Sequence, residues 1–149
     1  MGMLGQYVMV DEDTLESMMA MDGAELMGTL EKLIEAGNEY YDIDKLWEDL
    51  HLSLTGVSAS EPVDGNPLSE AVVGVHVFEV EEEDGFFACT EHDELEGIIR
   101  AMQQLDFGRL EPGYGTEALR QELKGEFEAL LGFYEKALAA GMHVIFSVA

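Results

Sequence analysis

The chain has 149 residues, 47% of them hydrophobic and 26% charged, with 32 acidic side chains against 7 basic ones and a formal net charge of -25. That length suits about one domain, whose core can bury roughly 68–70% of the surface the unfolded chain exposes. A field of this sign repels polyanions and offers no basic stripe for phosphates, which argues against nucleic-acid binding, while it draws basic proteins and cations toward the surface.

A single cysteine, Cys89, rules out an internal disulfide and fits a reducing compartment. It sits in the apolar run "GFFAC", where a small buried hydrophobe is the expected role. The first residues, "MGMLGQYVMV", have neither a basic start nor a long apolar stretch, and no run approaches the ~18 apolar residues that span a bilayer. The expectation is a cytoplasmic protein that does not enter membranes.

In chain order, "QYVMV" (6–10) reads as a strand, followed by Asp11 as the N-cap of a first helix carrying Leu15, Met18 and Met19. Asp22 with Glu25 three residues on predicts a capping box, and Leu26, Met27, Leu30, Leu33 and Ile34 form the apolar face of a second helix ending at Gly37. The stretch "DIDKLWEDLHLSLTG" (42–56) predicts a third helix with Asp42 as N-cap and Gly56 as stop. At 100° per residue, Ile43, Leu46, Trp47, Leu50 and Leu54 share a core stripe, so the chain's one tryptophan should be substantially buried. Asp44, His51 and Thr55 line one flank of that stripe, with Glu48 just beyond.

Residues 57–67, "VSASEPVDGNP", read as a loop. The β-rich runs "VGVHVFEV" and "GFFACT", joined by "EEEDG", predict a hairpin with Gly85 supplying a positive φ. Thr90 is the expected cap of a helix through "EHDELEGIIRAMQQL" that buries Leu95, Ile98, Ile99 and Met102. After the turn-rich "DFGRLEPGYG", the span from Thr116 to Ala140 predicts the longest helix, stopped by Gly141. Gly125 and Gly132 inside it each cost about 1 kcal/mol relative to alanine, so close packing is expected there. "MHVIFSV" predicts a final buried strand. The fold class is therefore α+β: one domain over 1–149, with a small mixed sheet that includes both terminal strands and is packed against several helices.

No nucleophile elbow, phosphate loop or dinucleotide fingerprint occurs, and His51, His76, His92 and His143 stand in no metal-ligand spacing, so no cofactor or metal is expected. His92 with Glu91, Asp93 and Glu94 could surround a cation, although acidic residues at a helix start need none. Asp44, Trp47, Glu48, His51 and Thr55 remain as a candidate binding edge, with Glu48 within reach of His51 and Asp44 about 10.5 Å away along a straight helix.

"MGMLGQYVMV", "DIDKLWEDLHLSLTG", "NPLSEAVVG" and "GMHVIFSV" together resemble the YfbM-like family, a bacterial domain of unknown function, over nearly the whole chain. The matching positions are Asp44, Lys45, Trp47, Leu50, His51, Leu54, Thr55 and Gly56, then Leu68 and Gly74. The resemblance implies a cytoplasmic α+β domain, no established activity, and a place near toxin–immunity genes. Relatives have a longer segment before the last helix, which "EPGYG" replaces in shortened form. Two functions follow. One is a non-catalytic acidic interaction module for a basic protein, in its narrower form a toxin neutraliser. The other is a small-molecule binder or enzyme with a cleft at the 42–56 helix.

Overall fold

In the computed structural model the described residues are 4–81, 85–106 and 116–148. Residues 82–84, where a turn was expected, residues 107–115 with Arg109, the first three residues and Ala149 lie outside them. Five strands, β1 (Gly5–Val10), β2 (Tyr40–Asp44), β3 (His76–Val77), β4 (Phe86–Thr90) and β5 (His143–Val148), form one sheet in the order β2-β1-β5-β4-β3. Six helices among the described residues accompany it: α1 (Glu12–Met18), α2 (Gly23–Glu35), α3 (Leu46–Thr55), α4 (Pro67–Val73), α5 (His92–Gln104) and α6 (Glu117–Ala140).

The two terminal strands pair side by side at the centre, Tyr7 opposite Phe146 and Val8 opposite Ile145. All four strand pairings among the described residues are antiparallel, narrower than the mixed sheet expected. Because strand side chains alternate in direction, each central strand feeds two cores. Tyr7, Met9, Val144, Phe146 and Val148 join α3, α4, α5 and α6 on one face. Val8, Val10 and Ile145 join α1 and α2 on the other, with Phe87 and Cys89. Burial on both sides is why these strands read as continuous apolar runs.

The local signals behave as expected at several ends. Asp11 accepts a hydrogen bond from the Thr14 N–H at 2.8 Å, and Asp22 with Glu25 forms the full capping box. Thr116 caps α6, which ends on a left-handed Gly141. Cys89 is buried, and burial followed by the carboxylates of Glu91 and Glu94 pushes its thiol up to about 12, so it is inert as a nucleophile.

Four expectations are corrected. The expected helix from Asp42 begins only at Leu46, and residues 40–44 are the edge strand β2. Asp42 does bond backbone, but through an Asx turn to the Asp44 N–H at 2.8 Å, and Asp44 takes a left-handed φ of 59° that breaks strand from helix. Thr90 is the buried last residue of β4, not a cap; Glu91 takes that place, its N–H donating to Glu94 Oε1 at 2.9 Å. Between the expected loop and strand, and taking one residue from each, lies the unexpected α4, with Asn66 as N-cap accepting from the Leu68 N–H, and Pro67 at its first turn. Finally, Gly125 and Gly132 are not closely packed: a Cβ added at either meets nothing within 4 Å.

Helix α4 is tied to the sheet and to α6 through its C-terminal carbonyls, which no intrahelical N–H can satisfy. Tyr7 donates its hydroxyl to the Val72 carbonyl at 2.6 Å, and Tyr134 donates to Ala71 at 2.5 Å. Both rings are fully buried, and burial holds both phenols well above their ordinary range, hence protonated donors. Tyr134→Phe keeps the ring and orphans a buried carbonyl, so it is expected to cost about 1–2 kcal/mol in urea unfolding. An unchanged denaturation midpoint would show that water replaces the hydroxyl.

Candidate functional site

Among the described residues, the clefts lined by Gln6 and Met27, by Met21 and His76, and by Val63 and Ser69 include none of the five residues singled out on the 42–56 segment. Asp44 and Glu48 are exposed, the former at the end of β2 and the latter in the first turn of α3. Trp47 is half-buried where substantial burial was expected. Its place in the first turn of α3 lets one side of the indole meet Phe146 at 5.9 Å between ring centroids, edge to face, while the rest stays at the surface. It lies directly over Gly5, where an added Cβ would stand 2.9 Å from Trp47 Cδ1.

His51 is fully buried. Its Nδ1 lies 3.0 Å from the Val57 carbonyl, which only accepts, so Nδ1 carries the proton and donates. Nε2 then accepts from the Ser69 hydroxyl at 2.8 Å, and Ser69 Oγ in turn accepts from the Val63 N–H at 3.0 Å. Thr55 Oγ1 completes the frame, donating to the His51 carbonyl at 2.8 Å and accepting from the Val57 N–H at 3.2 Å. Both ring nitrogens are spent on fixing the 56–66 loop between α3 and α4. Desolvation, only partly opposed by the Val57 bond, lowers the imidazole pKa and keeps it neutral. A proton acceptor for a substrate needs a free lone pair, and this ring has none.

His143 and Glu12 form a second pairing that sequence reading missed. His143 Nε2 stands 2.5 Å from Glu12 Oε2 in an arrangement that resembles half of a catalytic dyad. Yet Nδ1 accepts the His92 N–H at 2.9 Å, so again no nitrogen is left for a substrate. Here the ring joins the starts of α1, α5 and β5.

The group weighed around His92, without a cation being expected there, is also arranged differently. His92 turns its Nε2 to the Leu138 carbonyl at 3.1 Å. It is His76, on β3, that approaches Glu94 at 3.0 Å and Glu91 at 3.5 Å, and ligand atoms of the three lie within 4.8 Å of one another. The hairpin register brings them together, since His76 pairs with Cys89 two residues before Glu91. One imidazole and two carboxylates could ligate a divalent cation, but the positive end of α5 opposes that charge and Glu94 is already held by the Glu91 N–H. As a histidinium–carboxylate pairing the cluster is half-exposed and adds little stability.

A further concave feature lies on the opposite face of the sheet from α3. Between α2 and the β2–β1–β5 end of the sheet is a cleft of about 410 Å³, lined by Leu4, Gln6, Met27 and Ile34 together with Glu31, Glu35, Asp42 and Ser147. No residue of α3 lines it. Sequence reading placed Met27 and Ile34 on the apolar face of α2 but carried no sign of the sheet row beneath them.

Residues 1–147 match the family described as domain of unknown function DUF1877. The chain belongs to this family. It is 30% identical to protein YfbM of Escherichia coli (strain K12) over 164 aligned residues that cover 97% of each chain. The crystal structure of a protein of unknown function, YfbM from Escherichia coli, superposes with a TM-score of 0.76 at 27% identity, covering 99% of this chain and all of that one. The YfbM-like resemblance and the α+β class drawn from the sequence both stand in this DUF1877 chain. No helix among its described residues is long and apolar enough to cross a membrane.

Proposed function

We propose that this DUF1877 chain is a non-catalytic interaction module that captures a basic protein, with neutralisation of a cationic toxin as its narrower form. The observation that carries the reading is the excess of unpaired carboxylates. Against 32 acidic residues stand 7 cations, and the ion pairs that arginine makes among the described residues, Arg100–Glu96 and Arg120–Glu117, are local pairs within single helices. Such a surface steers a basic partner at long range and costs the isolated fold some self-repulsion. The sealed ring of His51 and the fully used ring of His143 weigh against a catalytic reading.

Capture from a bacterial lysate on the immobilised chain, elution with salt, and titration of the purified partner form the test. The expected partner is basic, and its association rate falls steeply between low salt and about 0.5 M, where the screening length shrinks below the size of the interface. Salt-insensitive association, or the lack of any basic partner, overturns the proposal. The same imbalance predicts that the melting temperature of the chain alone rises over that salt range, because screening relieves repulsion. A flat melting series would show that the charges are too dispersed to strain the fold.

A further inference from the structure

We propose that the cleft between α2 and the β2–β1–β5 end of the sheet is the docking pocket for an arginine side chain of the basic partner, an inference that rests on the interaction reading above. The floor of the cleft is a polar row across three strands. Gln6 on β1 pairs with Asp42 on one side and Ser147 on the other, and all three line the cavity. Met27 and Ile34 supply an apolar wall from α2, and Glu31 and Glu35, one turn apart on that helix, place carboxylates at the rim.

Ser147 is the telling residue. It is 1% exposed in the middle of an apolar strand, and no group among the described residues hydrogen-bonds its hydroxyl. Among the described residues no sealed side-chain oxygen or nitrogen lacks a partner, so this hydroxyl opens into the cleft it lines. An unpaired polar group at a buried position is costly unless something supplies its hydrogen bond.

The complementarity is with a cation on an apolar stem. Glu31, Glu35 and Asp42 have no cation within ion-pair distance among the described residues, and Lys32, beside Glu31 on α2, makes no such pair. An arginine would lay its methylenes along Met27 and Ile34 and turn its planar guanidinium to acceptors that diverge around the floor and rim. Five N–H donors match separated carboxylates and a hydroxyl better than the point charge of lysine does. The cavity volume lies within the range of small ligand clefts, roughly 300–1,000 Å³.

The test titrates the full chain with a nine-residue Gly/Ser peptide carrying one central arginine, followed by backbone NMR, with the citrulline peptide as an uncharged isostere. Shifts are expected at Gln6, Glu31, Glu35 and Ser147, with the citrulline peptide at least about fivefold weaker. Glu31→Gln with Glu35→Gln should weaken the arginine peptide about fivefold or more, whereas Glu122→Gln with Glu128→Gln on α6, an equal loss of charge on the other face, should change it less than about twofold. Asp42 is left intact because its carboxylate also holds the Asx turn before α3. Ser147→Ala removes only the hydroxyl, and about threefold weakening is expected with the melting temperature kept. Equal weakening by the two glutamine pairs overturns the pocket and leaves the general field, hence the interaction module, standing. Shifts elsewhere on the surface, or spermidine binding the cleft more tightly than the peptide, also overturn it. If the captured partner itself associates without salt dependence, the interaction reading fails first.

Discussion

His51→Ala is expected to lower the free energy of unfolding by about 3 kcal/mol, a large part of the stability of a domain this size. The ring is fully buried, so its removal leaves a cavity. It also leaves the Val57 carbonyl with only the Thr55 hydroxyl at 3.2 Å and removes the acceptor of the Ser69 hydroxyl. Ser69→Ala should cost less, about 1–2 kcal/mol, because the ring keeps its bond to Val57. The two losses should add to more than the double variant shows, since both cut one chain of hydrogen bonds. Urea unfolding of the four proteins decides it, and a His51→Ala loss below about 1 kcal/mol would mean that the 56–66 loop is held by something other than this ring.

The same residue gives the stability a direction with pH. Its native pKa is lowered by desolvation, while in the unfolded chain it returns to about 6.5. Below that value the unfolded chain binds a proton that the native ring refuses, so stability is complete above about pH 6.5 and falls as pH drops toward the lowered native pKa. The slope for this one site has a ceiling of about 1.4 kcal/mol per pH unit. A folded His51→Gln variant should lack that component, and an identical acid profile in the two proteins would show that His51 is not the group responsible.

The parts of the fold that could be read from the sequence are those set within a few residues. Asp22 and Glu25 cap one another, Thr116 and Gly141 bracket α6, and two apolar runs at the termini are strands because each is buried on both faces. At β2 the local signal was real but ambiguous. An aspartate before a hydrophobic stripe bonds backbone N–H groups equally well in an N-cap or an Asx turn, and Ile43 reaches the core in either reading. What decided the matter was a distant partner, the edge of β1. The site was less legible still. His76 meets Glu94 only through the hairpin register, and the Asp42, Gln6, Ser147 row exists only once three strands are aligned. The motif around His51 could be seen in the sequence, but whether its polar flank faced solvent or a loop depended on Ser69 and Val57, one of them across a turn and a helix boundary.

Replacing Gly28, Gly97, Gly125 and Gly132 together by alanine is expected to raise stability by about 2–4 kcal/mol, which for a chain of this length is roughly 5–15 °C in melting temperature. All four lie inside helices, α2, α5 and α6, and a Cβ built at each meets nothing within 4 Å. None has a positive φ. With neither a clash nor a backbone demand, what remains is the glycine's extra freedom in the unfolded chain, which alanine removes at about 0.4–1 kcal/mol per site. The sites share no partner, and Gly125 and Gly132 stand about 10.5 Å apart along α6, so the gains should add. Gly5 and Gly74 supply the opposite sign. At Gly5 the added carbon would press to 2.9 Å from Trp47 and 3.0 Å from Ile43, and at Gly74, with φ of 89°, to 2.8 Å from the Ala88 Cβ. Alanine at either should cost about 1–3 kcal/mol through overpacking, with backbone strain added at Gly74. Thermal melts of the quadruple variant and of the two single ones test the packing at six places at once. A quadruple variant no more stable than the parent would mean that these helix surfaces are covered in solution, and a neutral Gly5→Ala would mean that Trp47 does not rest on the sheet.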